Sequence, residues 1–166
     1  MSENIFLETE RLILRRFTMD DVDHIAAQDG DPEVMRYVAD GLPKTRRDAE
    51  EGVARVLLNY EKFPGLGIWI AEEKPHLAFA GWFALKYIPK TEEIEVGYRL
   101  MKSAWGRGLA TEGARAMLRY GFGERGLDAL SPSRIPTMPR RNGCCASSAW
   151  NIGASATTTA ARFHTS

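Results

Sequence analysis

Glu93-Ile-Glu-Val-Gly-Tyr-Arg-Leu-Met101, continuing as Lys102-Ser-Ala-Trp-Gly-Arg-Gly-Leu-Ala-Thr-Glu112, changes its hydrophobic period partway along. Ile94, Val96, Tyr98 and Leu100 alternate, as one face of a strand does. Ala110, Ala114, Met117, Leu118 and Phe122 then recur at helical spacing. The stretch therefore predicts a strand, a glycine-bearing loop and an amphipathic helix. At such a helix start the first N–H groups lack intrahelical partners, and the positive end of the dipole faces outward. Gly106 and Gly108 have no Cβ, so a bulky anion can come close to those amides. This is the chemistry of an anion cradle, suited above all to phosphate.

Outward from this unit the same logic places the remaining elements. Arg11-Leu-Ile-Leu-Arg15 is a short apolar strand. Thr18 can cap a helix carrying Val22, Ile25 and Ala26, with Asp20 and Asp21 in its first turn. Asp31-Pro32 pairs an N-cap with proline at the first helical position, opening a short helix through Val34, Met35 and Val38. Thr45 begins a longer helix with Ala49, Val53, Val56, Leu57 and Tyr60 on one face, stopped by Pro64 and Gly65. Residues 67–72 and 77–87 read as paired strands with a turn near Lys74-Pro75. The helix that opens near Gly108 runs to about Gly123, with Gly126 as a stop.

Bulk composition excludes several function classes. The 166 residues suit one domain. Basic and acidic residues balance at 22 each, so no overall field attracts nucleic acid or an anionic membrane. The amino terminus carries early acids and no apolar run of secretory type, and no stretch approaches the ~20 apolar residues that span a bilayer. A soluble, cytoplasmic protein is expected. Adjacent Cys144 and Cys145 suit neither a zinc knuckle nor a disulfide framework, and His24, His76 and His164 lack ligand spacing, so no metal is expected. A nucleotide-binding P-loop would need Lys-Ser/Thr after its glycines, which is missing here.

After Asp128 the character changes. The last 38 residues hold no Asp, Glu or Lys, and Ser, Thr and Ala supply 18 of them. No periodicity runs from Ser131 to Ser166, so residues 129–166 read as an aberrant, disordered tail to a domain ending at 128.

Three passages resemble the GNAT superfamily of acetyl-coenzyme A-dependent N-acetyltransferases, and within it the RimJ/RimL-type subgroup of ribosomal-protein N-terminal acetyltransferases. They are Thr9-Glu-Arg-Leu-Ile-Leu-Arg15, Asp31-Pro-Glu-Val-Met-Arg-Tyr37, and Glu95-Val-Gly-Tyr-Arg-Leu leading into Trp105-Gly-Arg-Gly-Leu-Ala-Thr-Glu112. Gly108 and Ala110 match the family's glycine motif, whereas Trp105 stands where Gln or Arg is usual. The resemblance implies an α/β (α+β) fold, a central mixed, mostly antiparallel sheet flanked by helices. It also implies a further strand, a helix near His-Pro-x-Asn and a closing strand pair after Leu127, none of which this reading contains. Read one base out of phase, however, the run from Leu130 to Ser166 can encode such a segment, including His-Pro-Asp-Asn. The genetic code forces Met138-Pro139 to give alanine, Cys144-Cys145 leucine and Trp150-Asn151 glutamate, each where that segment wants it. Residues 129–166 are therefore expected to be a frameshifted carboxy-terminal half, with the base lost at the codon for Asp128.

The implied co-substrate is acetyl-coenzyme A, and the implied acceptor is a protein α-amine or a small-molecule amine; a homodimer is possible. Leu100 and Met101 would offer backbone groups to the pantetheine. Trp105, Gly106, Arg107, Gly108, Leu109, Ala110 and Thr111 would surround the diphosphate. Arg107 would add charge there or be a solvated loop side chain. Glu95 is a candidate base, or else a carboxylate on a solvated strand face. Tyr98 is a candidate proton donor, or else core. Trp69 and Trp82 would line the acceptor pocket or pack in the core, and Glu112 would meet the helix dipole or a nearby arginine. The other reading is an acyl-coenzyme A binding module, or an inactive truncated acetyltransferase.

Overall fold

The computed structural model describes residues 4–36, 38 and 40–132. Six strands form one sheet in chain order: β1 (Ile5–Glu8), β2 (Leu12–Arg16), β3 (Gly67–Glu73), β4 (Ala78–Tyr87), β5 (Ile94–Leu100) and β6 (Ser131–Pro132). β1 to β5 are antiparallel neighbours, whereas β6 lies parallel to β5. This is the mixed, mostly antiparallel sheet that the resemblance implied. The helices are α1 (Val22–Gly30), α2 (Pro32–Met35), α3 (Arg46–Lys62) and α4 (Leu109–Arg119).

Local chemistry sets most boundaries. Thr45 caps α3 through a reciprocal box with Asp48. Asp31 Oδ1 accepts from the Glu33 amide, with Pro32 in the first turn of α2. α2 ends at Met35 rather than reaching Val38, whose N–H closes a tight turn onto the Met35 carbonyl at 2.8 Å. α4 passes into a wider turn over Tyr120–Glu124, where the Arg125 N–H bonds the Tyr120 carbonyl, and Gly126 stops the chain at φ 62°.

Two expectations need correction. No strand was assigned ahead of Arg11, yet β1 pairs with β2, where Phe6 stacks on Trp69 at 3.9 Å and meets Tyr120 edge-on. No strand was expected after Asp128, yet Ser131 and Pro132 register with Glu95 and Val96, with the Ser131 hydroxyl donating to Glu93. The tail beyond Pro132, including Cys144, Cys145, His164 and the frame-shifted reading as a whole, lies outside the described residues.

α4 covers one sheet face, with Gly113 directly over the ring of fully buried Phe83. α1 and α3 pack together on the other face. There the Tyr60 hydroxyl donates to the Ile68 carbonyl, and Asp29 meets Arg99. Fully buried Leu12, Leu14, Ile70, Leu85, Leu109 and Met117 fill the interior between them.

Candidate functional site

The glycines expected to form a cradle lie at the β5–α4 junction. Gly106 and Gly108 both take left-handed backbone, at φ 71° and 80°, and Gly108 is the N-cap of α4 with no side chain bonding back to the helix. The consequence is a run of main-chain donors at a helix start that carries no side-chain cap. Leu109 is wholly buried, so it contributes backbone only and pins the helix start to the core. Trp105 folds back, its indole Nε1 donating to the Leu100 carbonyl at 2.9 Å. The Met101 N–H meanwhile bonds the Ala80 carbonyl at 2.9 Å. Two of the strand-end groups assigned to the cofactor thus already have protein partners.

A second element braces the loop. Glu112, in the first turn of α4, accepts from the Thr9 hydroxyl at 2.6 Å, the Arg11 amide at 2.8 Å and Arg11 Nε at 2.6 Å. Arg11 Nη1 also donates to the Arg107 carbonyl at 2.8 Å. Burial raises the Glu112 carboxyl, but these hydrogen bonds outweigh it and hold the group below the ordinary glutamate range. Sequence reasoning had offered Glu112 a neighbouring arginine; it had no signal for which one, because Arg11 lies 101 residues away. The Arg107 guanidinium is neither in the loop's mouth nor solvated alone. It pairs with Glu73, whose hydrogen bond raises its pKa.

On β5 the two catalytic candidates part company. Glu95, Gly97 and Arg99 face α1 and α3, whereas Val96, Tyr98 and Leu100 face α4. Glu95 sits opposite Lys86 on β4 and pairs with its ammonium at 2.7 Å, with 13 % of its side chain exposed. Tyr98, half-buried, lies 5.6 Å from the Phe83 ring. The structure thus brings Glu95 and Tyr98 onto one strand but opposite faces. The tryptophans divide likewise. Trp69 is core on the α4 side, while Trp82 shares Glu95's face and carries the Arg99 guanidinium 5.1 Å above its ring. Among the described residues no group of three His, Cys, Asp or Glu side chains is placed to hold a metal ion, and no helix is long and apolar enough to cross a membrane. His24 stacks on Phe79.

Residues 11–135 match the family model described as "Acetyltransferase (GNAT) domain". A relative from Aspergillus fumigatus, FsC-acetyl coenzyme A-N(2)-transacetylase, is 38% identical over 107 residues, 60% of this chain and 45% of its own length. The chain thus spans less than half of that relative. The uncharacterized protein YkkB of Bacillus subtilis is 38% identical over 130 residues, covering 75% of this chain and 73% of YkkB. Among solved structures, the ribosomal L7/L12 α-N-protein acetyltransferase RimL in complex with coenzyme A aligns with a TM-score of 0.62 at 15% identity, over 77% of this chain and 73% of that one.

Proposed function

The chain belongs to the GNAT acetyltransferase family, and from that premise we propose that it transfers an acetyl group from acetyl-coenzyme A to a primary amine, by direct attack in a ternary complex. The observation that carries this reading is the loop from Trp105 to Thr111. Two left-handed glycines deliver backbone amides to a helix start without a side-chain cap, and Arg11 and Glu112 hold that start rigid. A diphosphate fits such a donor set. A Cβ built on Gly106 meets no atom of the described residues within 4 Å.

The bound co-substrate supplies a thioester carbonyl activated toward an amine. The chain's part is to bind, orient and move protons. Backbone amides of Gly106 to Thr111 hold the diphosphate, with Leu109 locking the helix beneath them. Leu100 and Met101 form the stretch that meets the pantetheine, although the Met101 N–H and carbonyl already bond Ala80 and Ala104, at 2.9 Å each. Glu95 accepts the amine's proton from the α1/α3 side, directly or through water. Tyr98, on the α4 side, can serve only a sulfur leaving across the edge of β5. Arg107 reaches the co-substrate only by giving up Glu73. The acceptor is a protein α-amine, as the RimJ/RimL-type motifs suggest, or a small amine; location in the cytoplasm and pairing into a homodimer belong to the same proposal.

Residues 129–166 are, in the same proposal, a frame-shifted reading of the family's carboxy-terminal segment. Resequencing the gene around the codon for Asp128 checks this, and an uninterrupted original frame would refute it. For the binding loop, the test is calorimetric titration of acetyl-coenzyme A against the chain and its Gly106→Ala variant. Forcing alanine into φ 71° costs about 1 kcal/mol of local strain, with no clash. Affinity should fall while stability drops by only about the 1 kcal/mol of strain, a few degrees in Tm; unchanged affinity would refute the cradle.

A further inference from the structure

The one cationic side chain within the Trp105–Thr111 loop, that of Arg107, is committed to a carboxylate outside it. Arg107 Nη1 donates to Glu73 Oε2 at 2.7 Å and Nη2 donates to Oε1, a two-pronged pair between the loop and the end of β3. The two partners are held differently. Glu73 registers with Leu12 on β2 and with Ala78 on β4, so ladders on both sides fix its backbone. The turn after it is tied down as well. The Lys74 N–H bonds the Arg11 carbonyl at 2.8 Å, and Lys74 Nζ donates to the Thr9 carbonyl at 2.6 Å. The Glu73 side chain is 19% exposed, against 48% for Arg107. The Arg107 main chain, meanwhile, is anchored without help from its side chain, because Arg11 Nη1 holds its carbonyl at 2.8 Å between two left-handed glycines. The guanidinium can therefore change partner while the loop and the carboxylate stay where they are.

Resting on the acetyl-transfer reading above, we propose that Glu73 competes with the co-substrate's diphosphate for Arg107, loosening the grip of the loop and speeding the departure of coenzyme A after transfer. The two anions are chemically alike to a guanidinium, whose planar fork donates to a carboxylate or a phosphate through the same parallel hydrogen bonds. Binding at Arg107 is then an exchange of one anion for another, and it adds no new ion pair. The start of α4 has no side-chain cap to displace, so the offset is confined to the arginine. Half-exposure of the guanidinium keeps the effect modest, since water and salt screen both pairings. Coenzyme A carries the same diphosphate as its acetyl ester, so the offset acts on the departing product too, and product release often sets the turnover rate.

The test is calorimetric titration of acetyl-coenzyme A into the full chain, Glu73→Gln, Arg107→Gln and the double variant, with urea unfolding of each to verify that it is folded. Glu73→Gln should bind about fivefold tighter, near the upper end for an exposed ion pair. Stopped-flow displacement should show the gain mainly as slower dissociation. With Arg107→Gln already in place, the Glu73 substitution should change affinity by less than about twofold, because the two residues act as a coupled pair. S-acetylpantetheine, which lacks the diphosphate, should bind the parent and Glu73→Gln equally. Unchanged or weaker affinity in folded Glu73→Gln overturns the competition and makes Glu73 a brace for the loop. An equal gain with and without Arg107 overturns Arg107 as the group competed for. A gain for S-acetylpantetheine overturns the assignment to the diphosphate. No binding of acetyl-coenzyme A by any of these proteins would instead overturn the acetyl-transfer reading on which this inference stands.

Discussion

Glu112→Gln isolates the brace between the β1–β2 turn and the binding loop. The carboxylate takes three donors, and its side chain is 17% exposed against 41% for Arg11. In the variant one amide oxygen can still accept from Thr9 and the Arg11 N–H, but an NH2 then faces Arg11 Nε. A hydrogen bond to a charged group contributes about 1.5–3 kcal/mol; the half-open arginine puts this one at the low end, so the loss should be about 1–2 kcal/mol. Urea unfolding followed by tryptophan fluorescence would read this as a lower midpoint with an unchanged slope. The pH dependence supplies a second check. Because the folded carboxyl titrates below its ordinary range, its contribution is present above the unfolded pKa and disappears as pH falls through the folded one. The gap between the two proteins should be constant from pH 6 to 8 and close below about pH 4. A Glu112→Gln protein as stable as the parent at pH 7, or a gap that persists in acid, would refute the reasoning.

Other perturbations follow from single contacts. Gly113→Ala should destabilise by about 2 kcal/mol despite alanine's better helix propensity, because the new Cβ would stand 2.1 Å from Phe83 Cζ in a packed core; calorimetric melting would show a lower Tm. Arg15→Met should be more damaging, about 3 kcal/mol by urea unfolding, since it strands the carboxylate of 2%-exposed Asp21. Burial raises that carboxyl and Arg15 with Thr18 lowers it further, so its stabilising effect in the parent should fade as pH falls below the ordinary aspartate range. Tyr60→Phe orphans the Phe17 N–H and the Ile68 carbonyl, costing about 1–3 kcal/mol. Burial pushes the Tyr60 phenol up to about 12, so the parent's advantage should hold below pH 10 and vanish as pH rises toward 12, which absorbance-monitored alkaline unfolding would follow.

What the sequence determined by itself is whatever depends on neighbours along the chain. The switch from period two to helical period located β5, the loop and α4, because side-chain direction is set by local backbone geometry. Thr45, Asp31-Pro32 and Gly126 marked helix ends for the same reason: caps and stops act within one turn. Strand alternation even implied that Glu95 and Tyr98 face opposite ways. Only the tertiary structure decided which distant groups meet. Glu112 could have reached any arginine, and folding chose Arg11; Arg107 was free on paper and is bound to Glu73; β1 needed Trp69 beneath Phe6 to become a strand. Such pairings are fixed by how α4 and the sheet pack in three dimensions, and no periodicity records a contact between residues a hundred positions apart.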